Sequence, residues 1–173
     1  IQSRRILVVI GDEGVDTLTL VDVYRREKNK RSNSKWGSPF YMVRDENFNV
    51  GRQEWEVRIS SGDHGYVYDQ PGIFLYAKIV LLAFDVAKPE SFASLGFWLN
   101  LVRKKTEKNA GIILVGIQRG KQGQSGRSVT HAEAADFAAK ENLHYFDASL
   151  DVAPEDPTLG VDRVFALVEK LGR

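Results

Sequence analysis

The first candidate for a functional site is the stretch ILVVIGDEGVDTLTLVDVY, residues 6–24. An apolar run rich in β-branched residues ends at Gly11, a turn with Gly14 follows, and a helical pattern begins near Asp16. A strand that turns through glycines into a helix presents unpaired backbone N–H groups and the positive end of the helix dipole, an arrangement that binds phosphate. This turn, however, carries three acidic side chains and no lysine, so its charge would repel a phosphate.

Asp16 suggests how the turn could be stabilised without phosphate. An aspartate at a helix start can accept a hydrogen bond from an unpaired N–H group, which is worth about 0.5–2 kcal/mol. We therefore predict that Asp16 caps the first helix and that its carboxylate takes the place of a phosphate. The alternative interpretation is that Asp16 is an exposed turn residue with no capping role.

The other residue types that often do chemistry form no recognisable site. The histidines, His64, His131 and His144, have no companion at metal-ligand spacing, so no metal site is predicted. Ser, Asp and His occur together in residues 60–65, but a catalytic triad needs groups from separate segments, so this stretch is interpreted as a loop. The chain has no cysteine, which excludes disulfides, thiolate metal sites and a cysteine nucleophile.

The composition is that of an ordinary soluble globular protein. Of 173 residues, 43% are hydrophobic and 27% are charged, and the chain is long enough for one domain with a substantial core. The net charge of +1 provides no overall field that would favour nucleic acid or a membrane. No apolar run approaches the ~18 residues of a membrane span. We therefore expect a cytoplasmic protein with no nucleic-acid partner and no evident membrane association.

Apolar periodicity predicts the elements that would position the turn. Predicted strands cover residues 4–10, 78–86, 111–117 and 143–148, and two more lie within residues 40–60; predicted helices cover 16–27, 88–108, 130–142 and a last segment from Val161. Thr130 and Glu133 form a capping box at the start of one helix. Strands and helices alternate, which predicts a mostly parallel sheet with helices on both faces.

Several of these segments resemble a known family in order and spacing. ILVVIGDEGV, AFDVAKPESFASLGFWLN, GIILVGI and YFDAS are similar to segments of a small GTPase of the Ras superfamily, nearest to the Rab branch. The resemblance covers essentially the whole chain. It implies an α/β, three-layer fold of the P-loop small-GTPase type, with a mostly parallel six-stranded sheet, one antiparallel strand and helices on both faces. Residues 1–173 would form a single domain, and the start at Ile1 without Met suggests that it was cut from a longer chain.

The resemblance also identifies the positions that bind phosphate and magnesium in that family. The family's phosphate loop ends in Gly-Lys-Ser/Thr, and Asp16, Thr17 and Leu18 occupy those positions here. The phosphate-binding lysine and the magnesium-binding hydroxyl are therefore absent. In the next motif Gly62 is kept, but the acid that binds magnesium through water is replaced by Ile59.

The positions that recognise guanine in the family differ as well. The motif Asn-Lys-x-Asp aligns with residues 117–120, so Ile117 replaces the asparagine and Gly120 replaces the acid that pairs with the guanine edge. Ser149 is retained from the last motif, although the residues after it differ. Each motif keeps a residue that shapes the backbone and loses the residues that contact nucleotide or metal.

These differences predict a pseudo-GTPase, a Ras-like domain that binds proteins and neither binds nor hydrolyses GTP. On this interpretation the chain is not an enzyme, has no catalytic residue and needs no cofactor and no metal. The alternative is a divergent small GTPase that retains guanine-nucleotide binding with little or no hydrolysis. A third possibility is a structural domain packed against neighbours within a longer chain.

A protein partner is predicted at the switch-like loops and on the face of the hairpin within residues 40–60. In the Rab-like family this surface contacts effectors, and large aromatic side chains outside regular core positions suggest a binding patch. The family's tryptophan position in this region is Arg58 here. The predicted protein-binding residues are Trp36, Phe40, Tyr41, Trp55 and Tyr66. The alternative is that these aromatics fold back onto the core.

Overall fold

A computed structural model describes residues 4–28, 43–60, 71–119, 126–151 and 153–173. Six strands form a single sheet: β1 (Ile6–Gly11), β2 (Val43–Val50), β3 (Gln53–Ser60), β4 (Ile79–Asp85), β5 (Gly111–Gln118) and β6 (His144–Ser149). The α-helices are α1 (Thr17–Lys28), α2 (Pro89–Ala93), α3 (Leu95–Lys105), α4 (His131–Lys140) and α5 (Val161–Leu171), with short 3₁₀ turns at Pro71–Phe74 and Pro157–Leu159.

The strand order across the sheet is β2-β3-β1-β4-β5-β6. β2 pairs antiparallel with β3, and all other neighbours are parallel. The predicted fold, a mostly parallel six-stranded sheet with one antiparallel strand, is therefore confirmed. The strands β1 and β4 lie at the centre and are buried along their whole length, as their uninterrupted apolar sequences require.

Alternate residues of the central strands supply two separate hydrophobic cores, one on each face of the sheet. On one face, Leu7 and Val9 pack with Trp55 of β3 and Phe165 of α5. On the other face, Val8 packs beneath α3 and α4, together with Phe84 of β4 and Trp98 of α3. The helices on both faces make this a three-layer arrangement.

The region predicted as one helix over residues 88–108 is two helices that meet at Ser94. The backbone at Ser94 stays helical, with φ −78° and ψ −8°. Its hydroxyl lies 3.0 Å from the carbonyl of Glu90 and 3.1 Å from the carboxylate of Asp12. A side chain that competes for helix carbonyls in this way disturbs the helix locally, which accounts for the interruption.

Because four strands run parallel to β1, the two ends of the sheet differ. The carboxyl end consists of the segments near and after the strands' last residues: residues 12–16, 86–90, 119, 126–131, 150–151 and 153–160. The amino end consists of the segments before the strands begin: residues 4–5, 51–52, 75–78, 103–110, 140–143 and 170–173. The described nucleotide-motif positions lie at or beside the carboxyl end, where ligands of open α/β sheets bind.

Candidate functional site

The turn after β1 keeps both of its glycines for reasons of packing and backbone geometry. A Cβ atom on Gly11 would lie 2.8 Å from the backbone oxygen of Ala83 in the neighbouring strand. Gly14 has a φ of +84°, in the left-handed region that side chains rarely adopt. Both glycines are therefore required by the fold itself, and their presence does not by itself indicate a bound phosphate.

The predicted cap at the start of α1 is confirmed. The Oδ1 atom of Asp16 accepts a hydrogen bond from the backbone N–H of Thr19 at 3.2 Å, and the Asp16 carbonyl accepts from Leu20 at 3.3 Å. This is the geometry of an N-cap aspartate, so the interpretation of Asp16 as a mere exposed turn residue is wrong. A carboxylate belonging to the chain satisfies a helix N–H group that could otherwise bind phosphate.

Arg119 places a positive charge beside Asp16 from the end of β5. Its Nη2 atom lies 3.6 Å from Asp16 Oδ2, and its Nε atom lies 3.8 Å from Asp85 Oδ2 at the end of β4. The Asp85 side chain is almost fully buried, whereas the Arg119 side chain is 54% exposed. Solvent screens these long ion pairs, so their contribution to stability is small, but they join three segments of the carboxyl end.

The rest of the turn is also held by side chains from other segments. Asp12 accepts hydrogen bonds from the hydroxyl of Ser94 at 3.1 Å and from the indole N–H of Trp98 at 3.4 Å. The ammonium group of Lys88 donates to the carbonyl of Gly14 at 3.0 Å. Two cations, Lys88 and Arg119, thus reach the turn from outside it, although the turn itself contains none.

The residues at the lysine and magnesium-ligand positions do not fit a magnesium ion. Thr17 is buried, and its hydroxyl donates to the carbonyl of Ser60 at 2.9 Å. Leu18 packs against the core beneath α1 and α5, and Ile59 is buried in that core. Neither of the last two can supply an oxygen ligand, which magnesium requires. Within the described ranges, no group of three or more His, Cys, Asp or Glu side chains could hold a metal ion.

The described residues at the guanine-motif positions are buried and form hydrogen bonds at the ends of β5 and β6. Ile117 is buried, and its carbonyl accepts from the N–H of Val86 at 3.1 Å. Ser149 is buried, and its hydroxyl accepts from the N–H of Asp151 at 3.1 Å. The other two predicted positions, Gly62 and Gly120, lie outside the described residues.

The prediction that Trp55 contacts a partner is wrong. Its side chain is 0% exposed, and its indole N–H donates to Gln53 at 3.0 Å. A Cβ atom on Gly172 would lie 2.4 Å from the Trp55 ring, so the ring packs tightly against the end of the chain. Trp55 belongs to the inward-facing row of β3, for which core packing was the alternative interpretation. The other predicted contact residues, Trp36, Phe40, Tyr41 and Tyr66, lie outside the described part of the chain.

A cavity of about 730 Å³ lies between α1, the β2–β3 hairpin and α5. Tyr24 stacks on Phe165 in its wall, with ring centroids 4.0 Å apart. The guanidinium of Arg25 lies 5.2 Å from the ring centroid of Phe48 and forms an ion pair with Glu46. The hairpin therefore presents partly exposed aromatic and charged groups around a concave surface, even though Trp55 is buried.

A charged cluster beside β6 could not be recognised from the sequence. Both guanidinium Nη atoms of Arg127 donate to the Asp147 carboxylate at 3.1 and 3.2 Å. His131 Nδ1 lies 2.8 Å from the same carboxylate, and the Tyr145 hydroxyl donates to it. A cavity of about 520 Å³ adjoins the cluster. The four residues come from three segments, so no spacing in the sequence relates them.

Burial and hydrogen bonding have opposite effects on the pKa values in this cluster. Burial raises the pKa of Asp147, but hydrogen bonds from Arg127, Tyr145 and His131 outweigh burial and hold that pKa below its usual value. Burial and the neighbouring Asp147 carboxylate both raise the pKa of Tyr145. Asp147 is therefore charged and Tyr145 neutral at neutral pH, which makes the cluster a stable buried ion pair.

Comparison with known proteins places the chain in a family. Residues 6–169 match the sequence profile of the Ras family. The GTP-binding protein ypt3 of Schizosaccharomyces pombe is 32% identical over 146 residues, which cover 82% of this chain and 65% of that protein. Ras-related protein Rab11B of Nicotiana tabacum is 29% identical, with 83% and 65% covered. Ras-related protein Rab-11A of Dictyostelium discoideum is 27% identical, with 83% and 66% covered.

The chain thus spans about two thirds of the length of the relatives that it matches. Among the described residues, no helix is long and apolar enough to cross a membrane. The expectation that the chain is not an enzyme is wrong. Its relatives are a GTP-binding protein and Ras-related proteins, and the Ras family, whose profile the chain matches, is a family of GTPases. With the matching profile over residues 6–169 and the Rab-like relatives, this protein belongs to the Ras family.

Proposed function

We propose that this chain is a Rab-like protein-interaction domain whose nucleotide site is closed by its own side chains. Guanine nucleotide then binds weakly, and contact with a protein partner sets the conformation of the switch-like loops. The observation that carries the proposal is the start of α1. There Asp16 caps the helix in place of an anion, and Thr17, at the family's lysine position, donates its hydroxyl into the core.

The energetic argument concerns the charge that a phosphate would meet. Two unit charges of the same sign about 4 Å apart cost roughly 4 kcal/mol at an effective dielectric constant of 20. About 5.5 kcal/mol corresponds to ~10⁴ in affinity, so the Asp16 carboxylate alone removes most of that amount before the missing lysine is considered. A bound phosphate would also have to displace the Asp16 carboxylate from the helix N–H group with which it forms a hydrogen bond. The cap and the repulsion therefore both oppose nucleotide binding.

The hairpin supports the protein-binding half of the proposal. Its inner face borders the cavity of about 730 Å³, where Tyr24, Arg25 and Phe48 are gathered. Aromatic and arginine side chains are enriched among residues that dominate protein interfaces. A partner that inserts an apolar side chain beside Phe48, whose ring is flanked by the Arg25–Glu46 ion pair, fits this surface.

Nucleotide titration tests the proposal directly. We expect that GTP or GDP with Mg²⁺ at millimolar concentration leaves the melting temperature unchanged and gives no heat of binding by calorimetry. A ligand at 100 times its dissociation constant would add about 2.7 kcal/mol, so a shift of several degrees would contradict the proposal. Single-turnover hydrolysis measured on the same sample reports how much of the family's activity this chain retains.

A second candidate function is that of a divergent small GTPase that retains guanine-nucleotide binding. The observation in its favour is that Lys88 and Arg119 bring positive charge to the turn from outside it. If these cations replace the missing lysine, then Lys88→Ala and Arg119→Ala each weaken GTP binding about tenfold. On the first proposal there is no tight binding to weaken.

Restoring the family's loop provides a further discrimination. The double variant Asp16→Gly with Thr17→Lys supplies the missing glycine and lysine but leaves Ile59 and Gly120 unchanged. We expect no recovery of GTP affinity, and a loss of stability because a lysine would replace the buried Thr17. Tight GTP binding by this variant, measured by calorimetry, would show that the phosphate loop was the only defect.

A further inference from the structure

Positive charge is concentrated at the amino end of the sheet, although the net charge of the whole chain is only +1. The last turns of α3, α4 and α5 all carry lysine or arginine, and further cations precede β1, β3 and β4. Against these, the amino end as defined contains two acids, Glu107 and Glu141, and Glu141 is paired with Arg103 at 2.7 Å. At its border Glu56 of β3 pairs with Arg4 at 2.6 Å, and Glu169 of α5 packs against Gly51, so the excess of cations remains. The exposed cations that form no ion pair with any described residue are Arg52, Lys104, Lys105, Lys108, Lys170 and Arg173.

Hydrogen bonds join these segments into one continuous surface. Arg5 and Lys78 both donate to the carbonyl of Gly172, at 2.9 and 3.3 Å, so the end of α5 lies beside the starts of β1 and β4. Arg103 donates to both the carboxylate and the carbonyl of Glu141, which joins the end of α3 to the end of α4. The cations are therefore neighbours across one end of the molecule.

Of the three large apolar side chains that are exposed among the described residues, the two most exposed lie at the same end, and the third, Phe97, lies on α3. Leu75 is 54% exposed and Tyr76 is 69% exposed, in the turn directly before β4. Tyr76 has a φ of +61°, which is unfavourable for a residue with a side chain. This conformation costs free energy and persists only because the surrounding structure imposes it. The fold thus holds an exposed aromatic side chain in a strained backbone conformation at the same end of the sheet as the unpaired lysines.

Arg58 fixes this turn from below. Its Nη1 atom lies within 2.9–3.1 Å of three backbone carbonyl oxygens of residues 72–75. The Arg58 side chain is largely buried, whereas its contacts with the carbonyls of Gly72 and Leu75 are exposed. The backbone that carries Leu75 and Tyr76 is thus held by contacts within the domain.

From these observations we propose that the amino end of the sheet is a docking surface for an anionic lipid bilayer. Unpaired cations attract the headgroups, and each cation that reaches the surface strengthens binding about fivefold. Leu75 and Tyr76 enter the boundary between headgroups and acyl chains, where leucine and tyrosine are favourable. The carboxyl end, with its excess of acids among the described residues, then faces away from the bilayer.

The exposed apolar side chains favour a bilayer over a nucleic acid. Six strands about 4.8 Å apart make the sheet roughly 25 Å wide, and the cations extend across this width from Arg52 to Lys140. The phosphates of a duplex could contact such cations, but they provide no apolar layer for Leu75 and Tyr76. A planar anionic bilayer provides both the negative charge and the apolar layer.

Vesicle sedimentation with the full chain tests the proposal. We expect the protein to sediment with vesicles of phosphatidylcholine and phosphatidylserine, to remain in solution with phosphatidylcholine alone, and to be released as salt is raised, because the Debye length falls to about 8 Å at physiological ionic strength. Absence of sedimentation with the anionic vesicles at low salt would overturn the proposal. So would equal sedimentation with neutral vesicles.

Charge variants locate the contact. The triple variant with Lys104, Lys105 and Lys108 all replaced by Glu should weaken vesicle binding by about a hundredfold or more. The corresponding triple Gln variant, which removes the charges without reversing them, should weaken it less, by about a hundredfold at most. The matched single variants Lys104→Glu and Arg163→Glu, at exposed residues of the last turn of α3 and the first turn of α5, change the net charge equally at opposite ends of the sheet. Only the first should weaken binding, and an equal loss for both would show that the amino end is not the contact.

The apolar part of the surface has its own test. Tyr76→Gly suits the positive φ, so it should leave the melting temperature unchanged or higher while it weakens vesicle binding several-fold. Since the chain has no cysteine, a single cysteine at Lys108 or at the control position Glu90 can carry an environment-sensitive dye. A blue shift on anionic vesicles at Lys108 and none at Glu90 is expected. A contrary outcome would be tighter binding to a DNA duplex than to these vesicles, with that binding lost in the same lysine variants. It would show that the ligand of this surface is nucleic acid and not a bilayer.

Discussion

At the carboxyl end of the sheet Asp12, Asp16 and Asp85 each have a hydrogen-bond donor or cation from another part of the domain, whereas at the amino end Lys104 and Lys108 face solvent without an ion partner. The difference indicates that the acids of the carboxyl end take part in the fold, whereas the amino end, besides Arg5, Lys78 and Arg103, which join its segments, keeps several cations available for contacts. Near the amino end, apolar packing stabilises the fold, because Trp55 packs against Gly172 there. Substitutions at the two ends should therefore affect stability and binding in opposite proportions.

The largest loss of stability is expected from Trp55→Ala. The ring is fully buried between the hairpin and the end of α5, so its removal leaves a cavity and should lower the free energy of unfolding by about 3–5 kcal/mol. Denaturant unfolding monitored by circular dichroism measures this change, with Trp55→Phe as a milder control. A change below about 1 kcal/mol would mean that the ring is not essential to the core and would restore Trp55 as a candidate contact residue.

The second largest loss of stability is expected from Asp147→Asn. It should lower the free energy of unfolding by about 3 kcal/mol near neutral pH, because it leaves the largely buried Arg127 without its charged partner. The pKa of Asp147 is lowered in the folded state, so the stabilisation is present above its unfolded pKa of about 3.9 and is lost as pH falls through the folded pKa. The difference between wild type and variant should therefore shrink in acid. Urea unfolding at neutral pH and at a series of lower pH values measures it, and a difference that does not depend on pH would contradict the ion-pair account.

Asp16→Ala should cost about 0.5–2 kcal/mol through loss of the cap on α1. Asp16→Asn should be close to wild type, since asparagine caps equally well and carries no charge. The opposite sign, with Ala as stable as wild type or more so, would mean that repulsion among the acids of the turn outweighs the cap. Thermal and denaturant melts of the three proteins in parallel decide between these outcomes.

The smallest effect on stability is expected at the amino end. Replacing Lys104, Lys105 and Lys108 together by Gln should change the free energy of unfolding by no more than about 0.5 kcal/mol per site, because these exposed side chains form no ion pair with a described residue. The same variant should weaken binding to anionic vesicles. Marked destabilisation in denaturant melts would show that these lysines stabilise the fold and would remove the contrast between the two ends.

Local sequence patterns were sufficient for most of the fold. Apolar runs and helical spacing predicted the strands, the parallel sheet and the capping box, where Thr130 accepts from the N–H of Glu133 at 3.1 Å. They also predicted the cap by Asp16. These features depend on residues that are close in the sequence, so their physical basis is visible in it. The division of residues 88–108 into two helices was missed because it depends on Ser94, which bonds Asp12 in a distant segment.

Residue types alone establish which chemical groups stand at the nucleotide positions, among them Asp16, Thr17 and Ile59, and they give the net charge of +1. Which distant groups come together depends on the tertiary fold. It turned Trp55 inward, because alternate residues of β3 face opposite sides of the sheet, and it brought Arg119 to Asp16 across the strand ends. It also placed charges that nearly cancel in the sum at different ends of the molecule, because connections between parallel strands make α3, α4 and α5 all end at the amino end of the sheet.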